Sequence, residues 1–441
     1  MIECVCFINL PTLMTNDKTV SFHTLGCRLN FSETGSIVQG FTERGYNVVP
    51  FGEKSDVVMI NTCTVTDAAD STCRNLIRKA QKSSPEAQIA VVGCYSQMEP
   101  ERIAAMQGVD IVLGTAEKYK IFDYLDSQDG QVVNVDMTNE FWGAQTAMAD
   151  GHTRAFLKIQ DGCNYICSFC IIPQARGRSR AIPMAEALSQ ARDLVSKGFK
   201  EIILTGVNIG EYEKASGTPL YRLIDELGKV KGLERLRLSS VEPNTMSEDL
   251  VRALKNCPNI MDHFHIPLQS GSDEVLKKMR RKYDTSFYKD VIYRLKEEFP
   301  QAAIGADVIC GHPGETEQQF VETYDLLNEL PITHFHVFPY SKRKGTTAAK
   351  EPDHIPYAVK KQRVATLNSF GEMKLRQFAE KMIGQKNNVL FERRNKEGLY
   401  EGYTTNFVRV AVESEIDLSN QIRSVYLDQA NQGKLLGKII L

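Results

Sequence analysis

Long apolar runs are scarce in this sequence. The opening stretch Met1–Leu13 is apolar but carries Glu3 and Pro11, and is too short to span a bilayer. It also lacks the basic start of a signal peptide. Because Val20 already begins a credible strand, residues 1–17 read as an appendage, with Cys4 and Cys6 incidental. A charge excess is missing too. Net charge is −2 over 441 residues, so nothing global announces a polyanionic partner, and any RNA contact must come from local basic patches. Paired cysteine spacing is absent. Eleven cysteines without it argue against a disulfide scaffold and fit a reducing cytoplasm with metal clusters. The length suits two or three domains and a large core.

What is present concentrates in residues 160–180, Gln-Asp-Gly-Cys163-Asn-Tyr-Ile-Cys167-Ser-Phe-Cys170-Ile-Ile-Pro-Gln-Ala-Arg176-Gly-Arg178-Ser-Arg180. Three cysteines at C-x3-C-x2-C spacing follow an expected strand, Ala155 to Gln160. Such a loop can curl three thiolates around one [4Fe–4S] cube and leave the fourth iron open, where a small molecule can chelate. The competing readings are a zinc loop lacking its last ligand, or three core thiols. Zinc wants a fourth Cys or His close by, and none follows before Cys257.

Upstream, short apolar runs alternate with helical ones. Expected strands are Val20–Thr24, Val57–Asn61, Ile89–Val92, Ile111–Leu113 and Val132–Val135, separated by helices near Ser32–Arg44, Ala68–Ser83, Pro100–Met106 and Glu117–Asp126. This is the pattern of a flavodoxin-like parallel α/β domain. Cys27, Cys63 and Cys94 each follow the carboxyl end of a strand, and such ends line one edge of an open sheet. Three thiols there can hold a second cluster, although each alone also suits a small buried residue. Cys73, inside a helix, reads as packing. Residues 136–153 lack a period and read as a linker.

A second βα rhythm runs from Arg154 to Ser341, with strands at Arg154–Gln160, Glu201–Thr205, Arg235–Leu238, His263–Pro267, Ile304–Ile309 and His334–Pro339. Six units suggest a partial TIM-type barrel with its site at the strand carboxyl ends. Gly206, Asn208, Ser239, Glu242, Gln269, Asp307 and Ile309 fall at those ends. They are candidates to bind an amino-acid head, a ribose and an adenine. Basic runs occur at Arg176/Arg178/Arg180, at Lys277–Lys282 and at Lys342-Arg343-Lys344; the first and third flank the expected mouth and are candidates for phosphate contact. A helix near Val359–Met382 leads to alternating segments Asn388–Glu392, Gly402–Arg409 and Lys438–Leu441, which suggest a small closed antiparallel barrel.

The two cysteine triads, their order in the chain and the run Val-Phe-Pro-Tyr-Ser-Lys-Arg-Lys-Gly-Thr at 337–346 together resemble the radical S-adenosylmethionine (SAM) methylthiotransferases. The resemblance covers nearly everything from Val20 onward. It divides the chain into an extension (1–17), a methylthiotransferase domain (18–136), a linker (137–153), a radical SAM core (154–375) and a TRAM-like RNA-binding barrel (376–441). The stretch from Cys167 to Arg180 resembles most the branch acting on N6-threonylcarbamoyladenosine in tRNA; sister branches act on isopentenyladenosine in tRNA and on an aspartate of a ribosomal protein. The resemblance implies a cytoplasmic enzyme with two [4Fe–4S] clusters, ligated by Cys163/Cys167/Cys170 and by Cys27/Cys63/Cys94. It implies that SAM is reduced to an adenosyl radical that takes hydrogen from C2 of the adenine, that sulfur comes through the second cluster, and that a second SAM gives the methyl group. The implied partners are a tRNA anticodon stem-loop, a sulfur donor and a reductant such as flavodoxin or ferredoxin, without a membrane. Arg176, Arg178, Arg180 and Arg343 are the expected substrate contacts. A non-catalytic iron–sulfur or zinc RNA-binding module is the reading from another class, and the five strand-end motifs count against it.

Overall fold

The structure, a computed structural model, describes residues 17–125, 130–145, 153–431 and 433–440. The expectations for Cys4 and Cys6 lie outside the described residues.

Strands β1 (Thr19–Thr24), β2 (Asn47–Val49), β3 (Val57–Thr62), β4 (Gln88–Gly93), β5 (Ile111–Leu113) and β6 (Val132–Asn134) form one parallel sheet in the order β2-β1-β3-β4-β5-β6. This is the flavodoxin-like order, with one strand added. Strand β3 is buried on both faces: Val57 and Met59 enter one core, Val58 and Ile60 the other. Burying each such side chain is worth about 1.5–3 kcal/mol, which is why a continuous apolar run makes the central strand. Cys73 packs, fully buried, in the second core. Strand β2 escapes the sequence pattern because it is three residues long and mostly exposed.

Next come β7 (Ala144–Gln145) and β8 (Arg154–Lys158), which pair antiparallel. The stretch read as a linker therefore adds an edge strand. A hairpin of β9 (Gln160–Asp161) and β10 (Arg180–Ala181) brackets the cysteine loop. Six parallel strands follow one another across the second unit: β8, β11 (Glu201–Thr205), β12 (Arg235–Leu238), β13 (His263–His265), β14 (Ala303–Cys310) and β15 (His334–Pro339). Single bridges, Leu236 to Ile260 and Ser240 to His265, join the halves. The result is the open six-unit barrel that the βα rhythm predicts. Helices Glu248–Asn256 and Thr285–Glu298, both missed in the sequence, complete its outer layer. The long helix Tyr357–Glu380 packs Leu367 and Phe370 into the same core.

The tail closes into a five-strand barrel, β16 (Lys386–Arg394), β17 (Tyr400–Tyr403), β18 (Arg409–Val412), β19 (Ile422–Asn431) and β20 (Lys434–Ile439). The expected strand 402–409 is two strands and a turn, with Phe407 at φ +65°. Phe407 plugs the amino-terminal end of the half-barrel: its ring lies 4.7 Å from the Arg237 guanidinium, 5.1 Å from Arg154 and 4.8 Å from the His263 ring.

Candidate active site

Cys27, Cys63 and Cys94 meet at the carboxyl edge of the first sheet. Burial, then Cys94 and Cys27, push the Cys63 thiol up to about 12. Two glycines permit the approach. A Cβ on Gly26 would lie 2.7 Å from Cys63 Cβ, and one on Gly93 would lie 2.5 Å from Asn61 Oδ1; both hold φ +100°. Cys27 is the N-cap of the 16-residue helix Arg28–Glu43.

The second triad sits on the loop between β9 and β10. Burial raises Cys163 and Cys170 to about 12; Cys163 also feels Cys170 and Cys167, and Cys170 feels Cys167. The loop is pinned by its backbone: Cys163 N donates to Gly177 O at 3.1 Å and Ser168 N to Met279 O at 3.1 Å. Arg281 Nη1 donates to Cys167 Sγ at 3.1 Å and its other amino group pairs with Glu242. Arg281 belongs to the basic run Lys277–Lys282, so one member of that run faces the cysteines. Its neighbours Lys277, Lys278, Arg280 and Lys282 are exposed.

A cavity of about 530 Å3 separates the triads, lined by Cys27, Cys63, Gly206, Ser239, His265 and Asp307 among others. A second hollow of about 200 Å3 shares Val65, Thr66, Asp307 and Phe338 with it and is walled by Cys170, Gln269, Ile309 and Arg343. Two thiols of the first triad, Cys27 and Cys63, and one of the second, Cys170, thus line adjoining hollows. Two buried oxygens nearby have no hydrogen-bond partner: Ser239 Oγ, whose residue lines the larger cavity, and Asn208 Oδ1, beside the cysteine loop. Asn208 also lies 4.0 Å from Cys163 Sγ through Nδ2. Unmet polar atoms beside a thiol triad fit a polar ligand such as SAM. Gln269 holds φ +68° at the end of the fourth barrel strand, and Asp307 accepts from His265 Nε2 at 2.9 Å and His336 Nδ1 at 3.3 Å. Burial pushes the Asp307 carboxyl up, and the two imidazoles more than reverse it, holding it well below the usual range. The histidines were missed in the sequence, although His-Phe-His occurs twice, at 263–265 and 334–336, and strand alternation puts both outer members on one face.

Residues 157–327 match the Radical SAM superfamily, and residues 19–114 match the Uncharacterized protein family UPF0004. The threonylcarbamoyladenosine tRNA methylthiotransferase MtaB of Bacillus subtilis is 39% identical over 434 residues, 95% of this chain and 96% of that protein. The chain belongs to the radical SAM methylthiotransferases. Its MtaB relative from Aquifex aeolicus is 38% identical, over 86% of this chain and 93% of its own. The tRNA-2-methylthio-N(6)-dimethylallyladenosine synthase of Acetivibrio thermocellus is 32% identical over 96% and 91%. In fold, the methylthiotransferase is similar to the radical SAM methyltransferase TsrM of Kitasatospora setae, with a TM-score of 0.55 at 15% identity over 76% of this chain and 77% of that one.

The arginines of the methylthiotransferase correct the sequence reading. Arg176 is 1% exposed, and its guanidinium donates to both Glu33 oxygens at 2.9 and 3.0 Å, to Asp161 at 3.0 Å and to Asn30 at 2.7 Å. Four of its five N–H donors are thus committed within the protein. Arg180 is tied to Asp161 at 3.0 Å and to the Arg176 carbonyl at 2.7 Å. Arg178 is exposed and remains available. Arg343 lines the smaller hollow but is 7% exposed and pairs with Asp70 at 2.6 Å, so it also joins barrel to sheet. Around Glu33 the cations are Lys118, Lys158 at 2.9 Å and Arg176. Burial raises the Glu33 carboxyl, but Arg176, Lys118 and Lys158 hold it well below its ordinary value. This lattice locks the first sheet to the barrel directly beside Cys94, whose thiol burial raises while Arg176 and Lys118 oppose the rise.

Proposed function

We propose that the enzyme methylthiolates C2 of N6-threonylcarbamoyladenosine beside the tRNA anticodon, at position 37. One observation carries the reading: thiols of two triads from different folding units, Cys27 and Cys63 of one and Cys170 of the other, line adjoining hollows, in a chain whose MtaB relatives align with it nearly end to end. On this reading residues 18–136 carry the auxiliary cluster, 154–375 the radical chemistry and 376–441 the RNA contact. Cys163, Cys167 and Cys170 would hold a [4Fe–4S] cluster whose open iron takes the amino and carboxylate groups of SAM. Cys27, Cys63 and Cys94 would hold the second. The chemistry these groups supply when bound is one-electron cleavage of SAM and delivery of sulfur.

The protein's own residues bind and orient. Asn208 Oδ1 and Ser239 Oγ offer acceptors to SAM's ammonium or ribose, and Gln269, Asp307, Ile309 and the Gly206 backbone line the same wall. Glu242 keeps Arg281 aimed at Cys167. Val65, Ile166 and Phe338, exposed at 52%, 73% and 42%, offer apolar surface near the thiols against which an unstacked base can rest. Phosphate contact falls to Arg178 at the mouth and to exposed Lys386, Arg393 and Arg423 on the tail barrel. No helix among the described residues is long and apolar enough to cross a membrane. A cytoplasmic location, with flavodoxin or ferredoxin as electron source, accords with the tRNA reading.

The test is a paired anaerobic assay with reconstituted enzyme, dithionite and SAM on anticodon stem-loops bearing threonylcarbamoyl- or isopentenyladenosine, read by nucleoside mass spectrometry. Methylthiolation of the first, with little of the second, is expected. Equal turnover removes the branch assignment. Turnover of neither, with modification of a ribosomal protein, transfers the function to the sister reaction.

A further inference from the structure

One cation in the chamber has no anion of its own. Arg28 follows Cys27 directly, at the first position of its helix, and lines the larger cavity with Cys27, Cys63, Ser239 and Asp307. Among the described residues no hydrogen bond or ion pair reaches its guanidinium; the nearest aromatic face, Phe407, is 6.0 Å away. Its charged neighbours are Arg154 and Arg237, which repel it, and Glu201 and Asp307, which attract it. Both carboxylates face other cations at closer range, although Glu201 Oε2 makes no hydrogen bond. Glu201 accepts from Arg237 at 2.8 Å and has Arg235 at 3.6 Å, while Asp307 is held by His265 and His336. A largely buried guanidinium without a counter-charge costs stability, so a ligand must repay its retention. His265, Asp307 and His336 stand close enough to hold a metal ion, but the arginines around them oppose a cation and favour an anion.

The anion can be assigned by elimination. On the reading above, the SAM carboxylate would be held at the other triad. RNA phosphates stay outside with the backbone while the base enters. What remains is charge on the base itself. With C2 held at the auxiliary triad, the N6 substituent lies in the same chamber, and a threonylcarbamoyl group ends in a carboxylate. We propose that Arg28 is the specificity-determining residue of this enzyme, pairing through its planar fork with the carboxylate carried on N6 of the target adenosine. The inference rests on the tRNA reading above. It moves the role first expected of Arg176 to an arginine that has free donors.

The test compares two stem-loops of equal size, one with the threonylcarbamoyl carboxylate and one with that carboxylate converted to a carboxamide. Both Kd, by fluorescence anisotropy without SAM, and kcat/KM are measured for the wild type, Arg28→Gln and Arg28→Lys. A site built to pair a charged group rejects the analogue lacking it. The wild type should therefore prefer the carboxylate by about ten- to hundredfold, Arg28→Gln should bring the ratio to within about twofold, and Arg28→Lys should keep part of it. Iron content and the auxiliary-cluster EPR signal, read in the Cys163/Cys167/Cys170→Ala background, should not change with Arg28→Gln. Equal losses on both stem-loops overturn the proposal, as does an altered EPR signal with the ratio preserved, which makes Arg28 a counter-ion of the cluster. If the wild type binds and modifies neither stem-loop, the tRNA reading itself falls and takes this inference with it.

Discussion

Glu33→Ala is the sharpest perturbation of the joint between sheet and barrel. Glu33 is fully buried, and three cations converge on it: Lys118, Lys158 at 2.9 Å and Arg176 through both amino groups. Removing the carboxylate leaves Lys158 and Arg176 with Asp161 and takes away the one carboxylate that pairs with Lys118 among the described residues. Breaking a buried pair from one side costs about 3–5 kcal/mol, because the stranded charge is not resolvated. The chain contains a single tryptophan, Trp142, stacked on Tyr119 at 5.5 Å; Tyr119 accepts from Lys158 Nζ at 3.2 Å. Trp142 fluorescence therefore reports this joint locally. With a urea slope of about 2 kcal/mol/M, a loss of about 4 kcal/mol moves its midpoint down by about 2 M. Adding Arg176→Ala to Glu33→Ala should cost less than the sum of the single changes, since the pair leaves together. The same probe carries a pH signature. Glu33 and Asp161 are both held below their ordinary values, so their contribution is complete above about pH 4.5 and is lost as pH falls through the lowered folded values. A Glu33→Ala midpoint shift below about 0.5 M, strict additivity, or a midpoint flat from pH 7 to pH 3 would refute the reasoning.

Anaerobic reconstitution should give about eight irons per chain, two cubes' worth, and changing Cys163, Cys167 and Cys170 together to Ala should leave about four. Zinc in place of iron, or iron insensitive to that triple change, defeats the ligand assignment. Ser239→Ala and Asn208→Ala should each weaken SAM binding by about 1.5–3 kcal/mol, an order or two in affinity, while sparing both clusters. Unchanged affinity in both variants would show that the pocket lies elsewhere.

How far the sequence could be read depended on the range over which each feature is encoded. The central strands were legible because a strand buried on both faces must be a continuous apolar run, as Val57–Thr62 is. Asn47–Val49 and Ala144–Gln145 were not, since such short strands exist only through the neighbours they pair with. In the tail, Ile422–Asn431 was missed because only Val425 and Leu427 are buried in it, so its pattern reads as polar. The cysteines were legible because spacing and strand position are local properties. Arg176 was misread for the opposite reason. Three arginines at alternate positions look like a solvated basic face, whereas the partner that buries the first, Glu33, lies 143 residues away in another folding unit. Arg28 was overlooked beside a recognised ligand, where a lone cation carries no pattern at all.

The position of that misread arginine bears on how the enzyme works. Each thiol triad is complete within its own unit: one on the carboxyl edge of the first sheet, the other on the loop bracketed by Gln160–Asp161 and Arg180–Ala181. The chemistry requires both on one chamber, so the relative placement of the units is itself a functional coordinate. That placement rests on groups next to the thiols. Arg176 bridges Glu33 of the first unit and Asp161, two residues before Cys163, and its charge bears on Cys94. Arg343, on the loop after β15 and lining the smaller hollow, pairs with Asp70 of the first unit. An apolar joint would be as strong, but it could slide, whereas directional ion pairs define one register between the units. On the proposed assignment, loosening Glu33 should therefore lower methylthiolation more than it lowers SAM cleavage, because cleavage would need only the barrel triad while sulfur transfer would need both triads in register.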